Sequence, residues 1–180
     1  LGCIGCFQAD PAGAAAAVLQ QAKHRLRQAG CTLAVGPMDG NTWRKYRLVT
    51  WSDGRAPFHL EPQNPPEWPE WFAAAGFAPL AGYSSAVVDL TVDHAVDLAN
   101  ARQRLAAHGI VVRDLDPAAL EADLRAIHAL SLVSFAQNFL YTPLDGDEFV
   151  AGYLPLAAKL DPRWDRLAHV DGELCGFVFT

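Results

Sequence analysis

Several groups of residues in this 180-residue sequence have side chains able to do chemistry. Cys3 and Cys6 form a Cys-x-x-Cys pair, the spacing at which two thiols can share a metal ion or react with each other. A zinc site needs a second Cys or His pair at a characteristic distance, and none follows. No metal site is therefore expected, and the two cysteines read as small strand residues. The 6 histidines, His24, His59, His94, His108, His128 and His169, are scattered over different segments without ligand spacing and read as solvated or capping side chains. Asp10-Pro11-Ala12-Gly13-Ala14 puts small residues at the start of a helix that follows a strand, where backbone N–H groups can hold a phosphate or pyrophosphate. Asp10 brings a carboxylate to the same place, so anion binding and ordinary helix initiation both stay open. Trp43, Tyr46, His59 and Asn64 fall in a stretch rich in proline and tryptophan, which could wall a pocket or cover the core. Ser131, Ser134, Gln137, Asn138 and Tyr141 gather hydroxyl and amide groups near the end of a long helix, as a substrate wall or as capping groups. No Gly-x-Ser-x-Gly elbow, Walker loop or Gly-x-Gly-x-x-Gly occurs, so hydrolase, nucleoside-triphosphate and dinucleotide readings have no local support.

The elements that would position these residues follow from patterning. Leu1 to Phe7 has strand length and is stopped by Asp10 and Pro11, with Asp10 as helix N-cap and Pro11 as first helical residue. The helix from Ala12 to Ala29 carries Lys23, Arg25 and Arg27 toward its C-terminus and ends at Gly30. Thr32 to Val35 is a short strand, which makes the first 37 residues a βαβ unit. Beyond it, four of the 5 tryptophans (Trp43, Trp51, Trp68, Trp71) and a run of prolines interrupt any long period. A short helix over Thr42–Arg47, an extended piece over Phe58–Glu61 and a helix over Pro69–Ala75 capped by Gly76 are predicted there. A strand over Tyr83–Val92 and a charged connector helix over Asp93–His108 come next. The rest reads as a strand over Ile110–Leu115, a helix from Asp116-Pro117 to about Ala136 and a helix over Glu148–Lys159. Strands over Arg166–Val170 and Glu173–Phe179 then meet at Asp171-Gly172, a strong hairpin signal.

Composition narrows the partners. With 51% hydrophobic and 19% charged residues the chain is core-forming, and its net charge of -6 argues against nucleic acid or an anionic membrane as the main partner. The 4 cysteines are too few for a disulfide scaffold. No stretch reaches the roughly 18 apolar residues of a membrane helix, and no signal peptide is visible, so a cytoplasmic setting is expected.

In order, these elements resemble a known family. A strand, a helix with small N-terminal residues and a strand ending Val35-Gly36-Pro37-Met38 are followed by Asn64 and an aromatic helix ending Phe72-Ala73-Ala74-Ala75-Gly76-Phe77. This part is similar to the C-terminal half of a GNAT superfamily N-acetyltransferase. The stretch from Gly109-Ile110-Val111-Val112-Arg113 to the hairpin Asp171-Gly172-Glu173-Leu174-Cys175-Gly176-Phe177 resembles the N-terminal half of another such domain. Gly36-Pro37 followed by Asn41 and Trp43-Arg44-Lys45-Tyr46-Arg47 is similar to a motif of bacterial tandem GNAT-like proteins.

The resemblance implies an α/β fold of GNAT type, a mixed sheet with helices on both faces. Residues 1–92 would be the C-terminal half of one domain, 93–108 a connector helix, and 109–180 the N-terminal half of a second. The chain would then be a window cut across two domains, or else one composite domain in permuted order. The implied activity is acyl transfer from acetyl-CoA, or another acyl-CoA, to an amine of a small molecule or peptide; a homodimer is left open. Phe7, Gln8, Ala12, Gly13, Ala14 and Asn64 would bind the cofactor, with backbone from Gly5 to Gln8 polarising the acyl carbonyl. Pro11 stands where the family's pyrophosphate loop has its first Gly, and Phe72 where members often place an acidic Tyr. Tyr46 is the substitute proton donor, and the acceptor would lie against Trp43, Tyr46 and a helix around Asn138 to Tyr141. The alternative implied by Pro11 and Phe72 is a GNAT-like module that binds a ligand or partner domain without turnover.

Overall fold

The computed structural model describes residues 1–58, 61–89, 91, 95–157, 161 and 163–178, which divide into two units, Leu1–Ser85 and Ala86–Thr180. The architecture is mixed α/β, with a parallel two-stranded sheet in the first unit and an antiparallel three-stranded sheet in the second.

In the first unit, β1 (Gly2–Cys3) and β2 (Ala34–Val35) pair in parallel across α1 (Ala12–Gln28), as the βαβ pattern predicts. α1 forms because Ala15, Leu19, Ala22 and Leu26 recur at helical spacing and give one apolar stripe. Ala15 and Leu19 are fully buried, and Leu19 joins Ile4, Phe72 and Ala75 in the core. α2 (Trp68–Ala74) begins with Pro69 in its first turn and presents Phe72 to that core. The Lys23 ammonium donates to the Ala75 carbonyl at the end of α2, where the helix dipole favours a cation. Gly30 and Gly76 follow α1 and α2 at the positions expected.

In the second unit, α3 (Ala95–Ala107) has no buried residue. It leads to β3 (Val111–Asp114), α4 (Leu120–Ser134), α5 (Gly146–Ala157), β4 (Arg166–Val170) and β5 (Glu173–Val178). The strand order is β3-β4-β5. β4 and β5 meet where Asp171 (φ 51°) and Gly172 (φ 85°) take the left-handed conformation that a two-residue hairpin turn requires. Leu167 on β4 is buried, as are Leu124 and Ile127 on α4 and Phe149 and Val150 on α5. Phe149 lies 5.2 Å from the His128 ring, whose Nε2 donates to the Leu144 carbonyl. Arg113 on β3 grips Asp123 on α4 with two bonds, Nη1 to Oδ2 at 2.9 Å and Nη2 to Oδ1 at 2.5 Å. The Asp116 N–H adds a third donor to the buried carboxylate.

Several sequence expectations need correction. The first strand is two residues long rather than seven, because beyond Ile4 the chain presses on another backbone segment and turns at Cys6 (φ 50°). Pro11, not Asp10, is the α1 N-cap, and no side chain caps that end. Residues 41–44 form turns instead of a helix, since the Asn41 side chain binds the Trp43 N–H and 45–50 run on without regular structure. Asp116 likewise binds the Ala118 N–H in a turn, which delays α4 to Leu120; α4 then stops at Ser134, short of Ala136. Tyr83 to Asp89 form no strand: Val87 and Val88 are exposed, so β-branched propensity has no partner strand to act on. Leu90 and Val92, expected to end that strand, lie outside the described residues, as do His59, Leu60, Asp93, His94, Ala158, Lys159 and Phe179 of other expected elements or sites. Among the described residues, β1 and β5 lie in separate sheets.

The Arg113 bonds hold the Asp123 carboxyl below its usual range, against the opposing effect of burial. Its folded value is below the unfolded one, so the associated stabilisation is complete above the unfolded pKa of about 3.9 and fades as pH falls through the lower folded value. Asp123→Asn is expected to cost about 1–2 kcal/mol near neutral pH, since Arg113 is itself half-exposed. Urea unfolding followed by circular dichroism checks this, and the deficit should shrink below about pH 3.

Candidate functional site

The first unit gathers most of the residues expected to act. After β1, Gly5 runs so close to the next segment that a Cβ there would sit 2.6 Å from the Met38 carbonyl oxygen and 2.7 Å from the Asp39 Cα. Only glycine permits that approach. The turn at Cys6 then points its N–H at Asp39 Oδ1, 2.6 Å away, while the Asp39 N–H donates to the Lys45 carbonyl at 2.7 Å. Asp39 thus joins the end of β1 to the loop that carries Trp43 and Tyr46.

Tyr46 does not stand alone. Its hydroxyl accepts a bond from Arg47 Nη1 at 2.5 Å, which leaves the phenolic hydrogen to be donated elsewhere. The Arg47 guanidinium lies 5.0 Å from the Tyr46 ring centre and 5.2 Å from that of Tyr83, and the two rings meet edge to face at 5.4 Å. Glu61 accepts from the Ser85 hydroxyl and from the Phe58 N–H at 3.2 Å. These two donors, with a smaller contribution from the Arg47 charge, hold the Glu61 carboxyl below its usual range. Arg47, Glu61, Tyr83 and Ser85 were not singled out by sequence reasoning. The signal available was weak: an Arg beside Tyr46, and a Tyr and a Ser in a segment that reads as a strand.

The Asn64 side chain bonds to backbone on both sides. Its Oδ1 accepts the Val49 N–H at 2.7 Å and its Nδ2 donates to the Val49 carbonyl at 3.3 Å and the Pro65 carbonyl at 2.9 Å. The side chain substitutes for a neighbouring strand and holds the segment after Tyr46 in place. Phe7 is also engaged, edge-on to Trp68 and to Phe72 with both ring centres at 4.9 Å. Phe72 itself is 4% exposed, a core residue.

Gln8, Ala12, Gly13 and Ala14 are exposed around the head of α1. The Pro11 carbonyl accepts from Ala14 and Ala15, so Ala12 and Gly13 precede the first intrahelical bond and their N–H groups are the orphan donors of this helix. A Cβ on Gly13 would meet nothing within 4 Å. Two backbone donors and open space are what an anionic group needs; Pro11 contributes no third donor.

Asn138 and Tyr141 belong to the second unit. The expected helix around them is replaced by turns after α4, in which Asn138 N–H donates to the Phe135 carbonyl at 2.9 Å and Tyr141 N–H to the Asn138 carbonyl at 3.0 Å. Leu140 takes a left-handed φ of 56°, which helical continuation excludes. Among the described residues no group of three His, Cys, Asp or Glu side chains is assembled to hold a metal ion, and no helix is long and apolar enough to cross a membrane. No family model, curated protein or solved structure matches this chain.

Asn64→Ala removes three hydrogen bonds from a half-buried side chain and exposes the Val49 amide to exchange. A loss of about 1–3 kcal/mol is expected, with faster hydrogen exchange at Val49 than at Ile4 as the local readout.

Proposed function

We propose that this chain carries part or all of an acyl-CoA-dependent N-acyltransferase of GNAT type, acting on an amine of a small molecule or peptide. The observation that most supports it is the parallel β1–α1–β2 unit with an uncovered helix start, placed in the same unit as a tyrosine hydroxyl held by an arginine. Acetyl-CoA, or another acyl-CoA, would supply the activated acyl group. The Ala12 and Gly13 amides would hold its anionic phosphates, aided by the positive end of the α1 dipole. Backbone N–H groups between Gly5 and Gln8, other than that of Cys6, which Asp39 already accepts, would polarise the acyl carbonyl. Tyr46 would donate a proton to the departing thiolate, with Arg47 fixing the hydroxyl and favouring the resulting anion electrostatically. Trp43 is the residue of the first unit assigned to the acceptor. Four free thiols, Cys3, Cys6, Cys31 and Cys175, are in keeping with a cytoplasmic setting.

Two observations favour a second reading, a module of the same type that binds a ligand or a partner domain without turnover. Pro11 offers no N–H at the head of α1, and Phe72, where a Tyr would act in the family, is a core residue without a proton to give.

Calorimetry with acetyl-CoA, combined with a thiol-release assay against a panel of amines, separates the readings. The enzyme reading expects saturable binding, and thiol release reduced about 10²–10⁴-fold by Tyr46→Phe. Binding with no thiol release from any amine supports the module, and absence of binding at millimolar acetyl-CoA overturns the enzyme reading and favours the module.

A further inference from the structure

We propose that Cys3, Cys6 and Met38 form a binding site for a soft monovalent metal ion of the Cu(I) or Ag(I) class. In an unbroken strand, residues three apart point to opposite faces, so a Cys-x-x-Cys pair in β1 could not converge. Here the strand is broken between them. Gly2 and Ile4 are buried, with Ile4 in the core beside Leu19 and Phe72, so alternation turns Cys3 to the other face of β1. On that face the Cys3 Sγ lies 3.6 Å from the Met38 Sδ and 3.9 Å from the Gly40 carbonyl oxygen.

Gly5 then rests directly on Met38 and Asp39, at the approach that excludes any Cβ, and Cys6 turns back with φ 50°. Its N–H is fixed to Asp39 Oδ1 at 2.6 Å. The Cys3 thiol therefore faces Met38 and Gly40, and the Cys6 backbone is bonded to Asp39, the residue between them.

The donor set selects the metal. Two thiols and a thioether are soft ligands, which suit Cu(I) in two- or three-coordinate sulfur geometry. Zinc would require further His, Cys, Asp or Glu ligands, and among the described residues no group of three such side chains is gathered. Asp39 acts as a positioning residue through the Cys6 amide. On binding, two S–H bonds are lost, two protons pass to solvent and two metal–thiolate bonds form; no electron is transferred. Cys6 is exposed and Cys3 half-buried, so the ion has a route in, and Met38, 4% exposed, closes the inner side.

The test is anaerobic titration of the full chain with Cu(I) in competition with a chromogenic Cu(I) chelator. One equivalent is expected to bind, with X-ray absorption showing only sulfur neighbours. Cys3→Ser and Cys6→Ser should each weaken binding about 100-fold or more, and Met38→Leu about tenfold, while Cys31→Ser and Cys175→Ser leave it unchanged. Circular dichroism confirms that each variant is folded, and Ag(I) is titrated as a second probe for any that is not. Binding that survives the loss of Cys3 and Cys6, that depends on Cys31 or Cys175, or that is indifferent to Met38→Leu in a folded chain overturns the proposal.

Discussion

The first unit depends on one steric fact: the backbone at Gly5 rests on the backbone at Met38 and Asp39 with no room for a side chain. Because that contact follows immediately after β1, it ends the strand, turns Cys6 and gives Asp39 its position between the Cys6 and Lys45 backbones. Everything from Gly40 to Leu48 hangs from that junction. Leu48 reaches the core and Asn64 fixes Val49, so the loop carrying Trp43, Tyr46 and Arg47 is tied at both ends while its middle stays irregular. Short paired strands suffice, since tertiary contacts rather than a long ladder define the geometry.

The second unit uses a charge for the same purpose. Asp123 is nearly excluded from solvent, which would be costly for an isolated carboxylate. Arg113 and the Asp116 amide satisfy it, and in doing so they fix α4 to β3 and to the turn before the helix. The hairpin that follows needs no such device: Asp171-Gly172 sets the register, apart from a bulge between Ala168 and His169.

What the sequence discloses follows from whether the cause is local. Asp171-Gly172, the Ala-rich α1 with Gly30 behind it and the Pro69–Gly76 helix each contain their own signals, and each is found close to its expected place. The opening strand, the Thr42–Arg47 segment and the Tyr83–Asp89 stretch depart from expectation because their outcome is decided by residues far along the chain. Gly5 meets Met38, Asn64 meets Val49, and Tyr83 meets Arg47, contacts that no window of sequence contains. The candidate site shows the same division. Tyr46 is recognisable as a proton carrier from its type alone, whereas the arginine that orders it and the bracing around it are visible only in three dimensions. Asn64 was recognisable as special, but its hydrogen bonds are spent on the backbone.

Arg47 lies over two rings, donates to one of their hydroxyls and adds its charge to the field at Glu61. Such a residue ties five sequence positions, 46, 47, 61, 83 and 85, into one inherited unit. Replacing the arginine would remove a stacking partner, a donor and a positive charge in a single step, leaving two tyrosines and a carboxylate adapted to a cation that is gone. Descent of this chain should therefore show those positions changing together or not at all, and a residue at 83 should predict the residue at 47 although the two lie 36 positions apart.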